Sequence, residues 1–200
     1  MGMNDKVEIR DDGGLLRHSV GLLERALHGL TESYDRDGRL LMRNAYSEGV
    51  RHGGSEYRYG DRVQMTQQFE HGQAHGPTVV YDPAGHVAAE LNFVQGKLHG
   101  EARYYAHGQL LRRANYKDGR LDGVTEDLLP DGTVIQRTPY RGDILHGTVE
   151  RFWSNGQPME KASYDNGLRA GEPLRFDQNG KPQGEAPKLM DRMEKLFRGS

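Results

Sequence analysis

The 200-residue chain contains no cysteine, which excludes disulfides, thiol nucleophiles and cysteine zinc sites. It has almost no surplus of charge: 27 Lys and Arg stand against 29 Asp and Glu. A net charge of −2 gives no field to draw the chain to nucleic acid or an anionic membrane. Apolar residues make up only 34%, and no run approaches the roughly 18 consecutive apolar residues of a membrane span. The opening Met1-Gly2-Met3-Asn4-Asp5-Lys6 lacks the apolar core of a secretion signal, so a cytoplasmic location is expected. Catalytic signatures are missing too: there is no Gly-x-Ser-x-Gly, no His-Glu-x-x-His and no Gly-x₄-Gly-Lys-Ser/Thr phosphate loop. The expectation is a protein that is not an enzyme and needs no cofactor.

What the chain does have is glycine, 27 of them, about twice ordinary usage. His28-Gly29, His52-Gly53, His75-Gly76, His99-Gly100, Asp122-Gly123, His146-Gly147 and Ala170-Gly171 place one glycine every 23 or 24 residues. A fixed period in this range marks a repeat array. The aromatics keep the same period. One series runs Tyr34, Tyr57, Tyr81, Tyr104, Leu128, Phe152, Phe176, and a second runs Tyr46, Phe69, Phe93, Tyr116, Tyr140, Tyr164. Twelve of the sixteen aromatic residues fall on these two series, too many for coincidence.

Each unit reads as two strands and two turns. Between Gly85 and Gly96, Val87, Ala89, Leu91 and Phe93 alternate with more polar residues, the pattern of a half-buried strand. Asp37-Gly38, Asp118-Gly119, Asp131-Gly132, Asn155-Gly156, Asn166-Gly167 and Asn179-Gly180 supply the positive φ angles of hairpin turns. The expected fold is an all-β, elongated, single-layer antiparallel meander of about seven hairpin repeats. Residues 1–9 form a lead-in, 10–183 the array, and 184–200 an amphipathic C-terminal helix. In that helix Leu189, Met193, Leu196 and Phe197 share a stripe within Lys188–Arg198, suited to capping the array. Leu16, Val20, Leu23 and Leu27 also stand at helical spacing, but Gly14 and Gly29 keep the period, so residues 10–29 are read as a degenerate first repeat.

The recurring aromatic–x₂–Gly–x₃–Gly text, as in Phe93-Val-Gln-Gly-Lys-Leu-His-Gly and Tyr116-Lys-Asp-Gly-Arg-Leu-Asp-Gly, resembles the MORN repeat. It is most similar to the variant of bacterial YwqK-like antitoxin proteins, and the resemblance covers roughly residues 10–180. It implies a β-meander and an antitoxin or immunity role against a partner toxin. The Tyr-x-Gly-x-Trp text of eukaryotic MORN proteins is absent, which weakens any transfer of membrane or cytoskeletal roles.

Three constellations remain. The histidine column His28, His52, His75, His99 and His146 spaces its members roughly 9–10 Å apart in a meander, too far for one metal ion whose ligands all lie about 2 Å away. Turn packing is therefore expected, and no metal. A basic column of Arg113, Arg137 and Lys161, with Arg43 before it, could meet an acidic partner. The residue after the first aromatic changes from Asp35, Arg58 and Asp82 to Tyr105, Leu129 and Trp153, while Leu111, Ile135 and Met159 stand on the facing strands. Alternation places these six on one face, an exposed apolar patch large enough to require a cover, either the C-terminal helix or a partner. The expected function is protein binding, as an immunity or antitoxin protein that occludes a toxin or secreted effector. The alternative is a self-assembling or scaffold array, with a homodimer through faces or edge strands. No nucleic acid or membrane span is expected.

Overall fold

A computed structural model of the chain describes residues 4–184. Every regular element among them is a β-strand, and the paired strands run antiparallel. The expected helix at Lys188–Arg198 lies outside the described residues. The chain divides into two compact units, Met1–Gln109 and Leu110–Ser200.

The first unit contains β1 (Asn4–Arg10), β2 (Leu16–Leu23), β3 (Ala26–Tyr34), β4 (Leu40–Ser47), β5 (Val50–Tyr59), β6 (Arg62–Glu70), β7 (Gln73–Tyr81), β8 (Val87–Val94), β9 (Lys97–Leu98) and β10 (Gly100–Ala106). Each of β1 to β8 pairs with the next. Leu16, Val20, Leu23 and Leu27, which also stand at helical spacing, lie in strands: β2 and β3 pair around Glu24 and Arg25, whose φ angles of 50° and 70° form a two-residue turn. The second unit holds β11 (Gln109–Lys117, all but its first residue), β12 (Arg120–Leu121), β13 (Gly123–Leu128), β14 (Val134–Arg141), β15 (Ile144–Leu145), β16 (Gly147–Phe152), β17 (Pro158–Asp165), β18 (Leu168–Arg169), β19 (Leu174–Phe176) and β20 (Pro182–Gln183).

The alternation of 23- and 24-residue periods has a local cause. Five-residue loops begin at Asp11, Asp35, Asp82, Leu129, Trp153 and Asp177. In each, the first residue's amide donates to the carbonyl four residues on, and the fourth residue, a glycine, donates back to the first carbonyl. That glycine adopts positive φ, the bulged three-residue hairpin connection. The two 23-residue periods instead contain the two-residue turns Gly60-Asp61 and His107-Gly108. Hence Met42 lies nine residues after its cross-strand partner Ser33, whereas Met65 lies eight after Tyr57. The glycine dipeptides therefore fall into two kinds. Asp118-Gly119 and Asn166-Gly167 have positive φ at both residues, while in the five-residue loops only the glycine does.

One expectation needs correction. In each unit a β-bulge recurs beside the first aromatic series, leaving Arg17, Leu41, Gln64, Ala88, Ile135 or Met159 without a partner of its own. Val80 then pairs with Ala89, but Tyr81 pairs with Val87. Neighbouring residues of a strand face opposite ways, so Val87 and Ala89 lie on opposite faces rather than sharing one. Val134 is separated from Thr138 and Tyr140 in the same way.

The most buried positions are small side chains at mid-strand: Ser19, Asn44, Ser55, Thr78, Ala89 and Ala102 in the first unit, and Ala114, Thr125, Thr138 and Ala162 in the second, joined there by Leu128. Every described aromatic keeps some exposure. Among the described residues no second layer covers the strands, so rings are not enclosed and mainly side chains shorter than their neighbours disappear from solvent.

Candidate functional site

Register in the second unit assigns each charged residue to a face. One face carries Arg113, Glu126, Arg137, Glu150 and Lys161 on successive paired strands. Basic and acidic residues alternate strictly along it. Arg113 lies 2.5 Å from Glu126, Arg137 3.0 Å from Glu126 and 4.0 Å from Glu150, and Lys161 2.8 Å from Glu150. The three predicted cations are therefore brought together, but interleaved with glutamates. In the first unit Arg43 donates to Glu32 at 2.8 Å. Burial opposes ionisation of Glu32, but hydrogen bonds from Tyr34 and Arg43 outweigh it and hold the carboxyl below its ordinary range. The opposite face of the second unit bears a second ladder, Arg112, Asp127, Gln136, Arg151, Glu160 and Arg175, beside buried Thr125, Thr138 and Ala162. Its ion pairs are Arg112–Asp127 at 2.6 Å, Arg151–Glu160 at 3.6 Å and Arg175–Glu160 at 3.2 Å.

Each of the six predicted apolar residues is half-buried. Tyr105, in the first unit, donates its hydroxyl to Glu90 at 2.7 Å; burial first, and then this hydrogen bond, push its phenol pKa upward. Leu111 lies in β11, and Ile135 and Met159 are the bulged residues of β14 and β17. Leu129 and Trp153 lie outside strands altogether, as the first residues of their five-residue loops, so strand alternation does not govern them.

That loop position has a chemistry of its own. Where it is aspartate, the carboxylate caps the loop. Asp11 accepts from the amides of Gly13 and Leu15, Asp35 from Asp37 and Arg39, Asp177 from Asn179 and Lys181, and Asp82 from His86. The amide of Leu15 is the leading cause that lowers the Asp11 pKa. Leu129 and Trp153 forfeit this cap in two successive loops. Partial substitutes come from the third residue: Asp131 accepts from Thr133 at 2.8 Å and Asn155 from Gln157 at 3.0 Å. The Trp153 indole donates to the Phe176 carbonyl at 3.3 Å, and Asn155 donates to the Gln178 carbonyl at 2.8 Å. These bonds tie the Trp153 loop to the Asp177 loop.

Each histidine of the column precedes a positive-φ glycine; His99 and His146 occupy interruptions between strands, whereas His28, His52 and His75 lie within β3, β5 and β7. His146 Nδ1 lies 3.3 Å from Asp165, and His75 Nδ1 3.5 Å from Glu70. Among the described residues no three His, Asp or Glu side chains gather as metal ligands would. No helix among them is long and apolar enough to cross a membrane.

Sequence reasoning passed over the open apolar residues of the second unit: Val124 (41% exposed), Ile144 (50%), Leu168 (76%) and Leu174 (37%). A signal for two of them was present. The residue after the two-residue turn that follows the second aromatic series is Val50, Gln73, Lys97 and Arg120, then Ile144 and Leu168.

Residues 98–118 and 145–166 match the pattern described as the MORN repeat variant. Each matched segment runs from a two-residue strand, through the glycine interruption, to the next two-residue turn. Two segments of the chain are thus similar to the MORN repeat variant, a kind of repeat that generally binds proteins or membranes. No curated protein matches it.

Proposed function

We infer that this protein is an immunity or antitoxin array that sequesters a toxin or secreted effector, using the Leu129 and Trp153 loops of its second unit. The observation that carries the reading is the exchange of capping aspartates for apolar side chains in two successive loops. It gives up hydrogen bonds worth about 0.5–1.5 kcal/mol each and installs the chain's only tryptophan, the residue type most enriched at binding hot spots. The kind of partner rests on the resemblance of the aromatic–x₂–Gly–x₃–Gly text to the YwqK-like antitoxins. Arg113, Arg137 and Lys161 would contribute selectivity more than affinity, since each is already partnered by glutamate.

The test uses the loop chemistry itself. Leu129→Asp and Trp153→Asp restore the cap found in four other loops, so folding and thermal stability hold or improve. Complex formation with the product of the adjacent gene, followed by size-exclusion chromatography, drops at least tenfold in affinity. Undiminished binding by both variants removes these loops from the interface, and no complex with any neighbouring gene product removes the antitoxin reading.

One observation favours self-assembly as a second reading. Among the described residues β1 pairs with β2 alone, and its Val7 and Ile9 are exposed. A two-fold antiparallel pairing centred on Val7 would set Lys6 opposite Glu8 of a second copy, twice over. Light scattering across a concentration series checks it: a mass that never rises above the monomer ends the idea.

A further inference from the structure

In the first unit one recurring backbone bond sets the two-residue turns against the histidine column. The turn glycine donates its amide to the carbonyl just before a column histidine: Gly49 to Leu27 at 2.7 Å, Gly72 to Arg51 at 2.8 Å and Gly96 to Ala74 at 2.8 Å. The bond draws the turn back onto the preceding odd-numbered strand, so the residue before the glycine is the turn's match for that histidine. Glu48 matches His28 and Gln95 matches His75. In the second unit Gly167 donates to Leu145, and Asn166 matches His146. All three of these turn residues carry an oxygen acceptor. The β6–β7 turn departs from the pattern, because the residue before Gly72 is His71. Its ring lies 5.6 Å from that of His52, centroid to centroid, with the planes inclined at 61°. Both side chains are exposed, and among the described residues neither ring has a hydrogen-bond partner. Four ring nitrogens thus stand open on two imidazoles that the backbone holds together.

We propose that His52 and His71 together bind a divalent late transition-metal ion such as zinc, nickel or copper, with water completing its coordination. A histidine nitrogen lies about 2.0–2.1 Å from a bound zinc ion, which puts the ion about 3.2 Å from each ring centroid. Two rings sharing it at tetrahedral to trigonal angles then stand about 5.2–5.5 Å apart, so the observed separation needs only small side-chain rotations. Members of the column itself, roughly 9–10 Å apart by strand spacing, cannot do this. The pair can, because a turn brings in a histidine from outside the column. Imidazole suits zinc, nickel and copper, whereas magnesium and calcium prefer oxygen. Two protein ligands at an open surface hold the ion more weakly than a closed four-ligand site. Each ring ligates only when neutral, so acid releases the ion. The bound ion clips the β6–β7 turn to β5. The site uses no residue of the Leu129 and Trp153 loops, so it stands or falls separately from the antitoxin reading.

The test titrates zinc chloride into the untagged full-length protein and follows the imidazole nitrogen and carbon-bound proton signals of its nine histidines. The His52 and His71 signals move together and saturate at one ion per chain, while those of His18 and His146 stay in place. His71→Asn puts at this turn the residue that Asn166 supplies in the second unit, and asparagine accepts the positive φ of 48° found at His71. The fold therefore holds, and zinc affinity measured by calorimetry drops roughly tenfold or more. His52→Asn gives the same loss. His52 and His71 signals that ignore excess zinc overturn the proposal. So does a His71→Asn protein that keeps its amide spectrum and binds zinc as tightly as the wild type, since the ion then sits elsewhere.

Discussion

At the residue scale the glycines divide by what surrounds them. Gly147 has φ of 116°, and a Cβ there would lie 3.1 Å from Cγ of Pro139. Gly156 has φ of 80° with nothing within 4 Å, the left-handed conformation that asparagine tolerates. Gly156→Asn should therefore cost under about 1 kcal/mol, and Gly147→Asn on the order of 2–3 kcal/mol. Thermal or denaturant unfolding of the two variants checks the difference, and equal losses would mean that the Pro139 approach is immaterial. These glycines were legible in the sequence because one requirement, positive φ, recurs with one residue type. The bulge was not. Its position holds Arg17, Leu41, Gln64, Ala88, Ile135 and Met159, which share no chemistry, because a bulge is set by the register of two strands rather than by a side chain. Ile135 and Met159 fall on it, so simple alternation does not assign their face.

At the scale of elements, the charge ladders hold neighbouring strands in register. A one-residue slip of β14 against β13 would set Glu126 opposite Gln136 or Thr138 and break its ion pair with Arg137. Single exposed pairs contribute little, about 0–1 kcal/mol, and Arg113 and Arg137 keep 38% and 46% of their side-chain surface. Glu126 differs from its partners in serving two cations at once. Glu126→Gln should lower stability by roughly 0.5–1 kcal/mol at low salt, with the loss shrinking at high ionic strength. Arg175→Ala, at the outer end of the other ladder, should be nearly neutral. Denaturant titrations at two salt concentrations decide, and a Glu126→Gln loss that ignores salt would remove electrostatics as its cause. The basic column was visible in the sequence, but its partners were not, because each glutamate lies on a different strand and only register brings it alongside. The capping aspartates were hidden otherwise: Asp35 and Asp82 were in view, but read as residues on a strand face instead of loop caps.

At the scale of the whole molecule, stability should be local. In each unit the strand pairings join a strand to those next along the chain, and the fully buried side chains are small, so among the described residues no central core couples distant repeats within a unit. Arrays of this kind behave as a sum of repeat and nearest-neighbour terms. A globular domain of similar length unfolds as one cooperative block instead. Gly147→Asn, which strains the start of β16, should raise amide hydrogen exchange in β14, β16 and β17. Protection in β4, β5 and β6 should stay at its wild-type level. Both sets of amides are read in one experiment on one variant, so the comparison needs no outside reference. Equal loss of protection in the two sets would mean that the repeats share one cooperative transition. The local reading of the glycine, the ladders and the loop caps would then give way to a global one, in which damage at any repeat is felt at all of them.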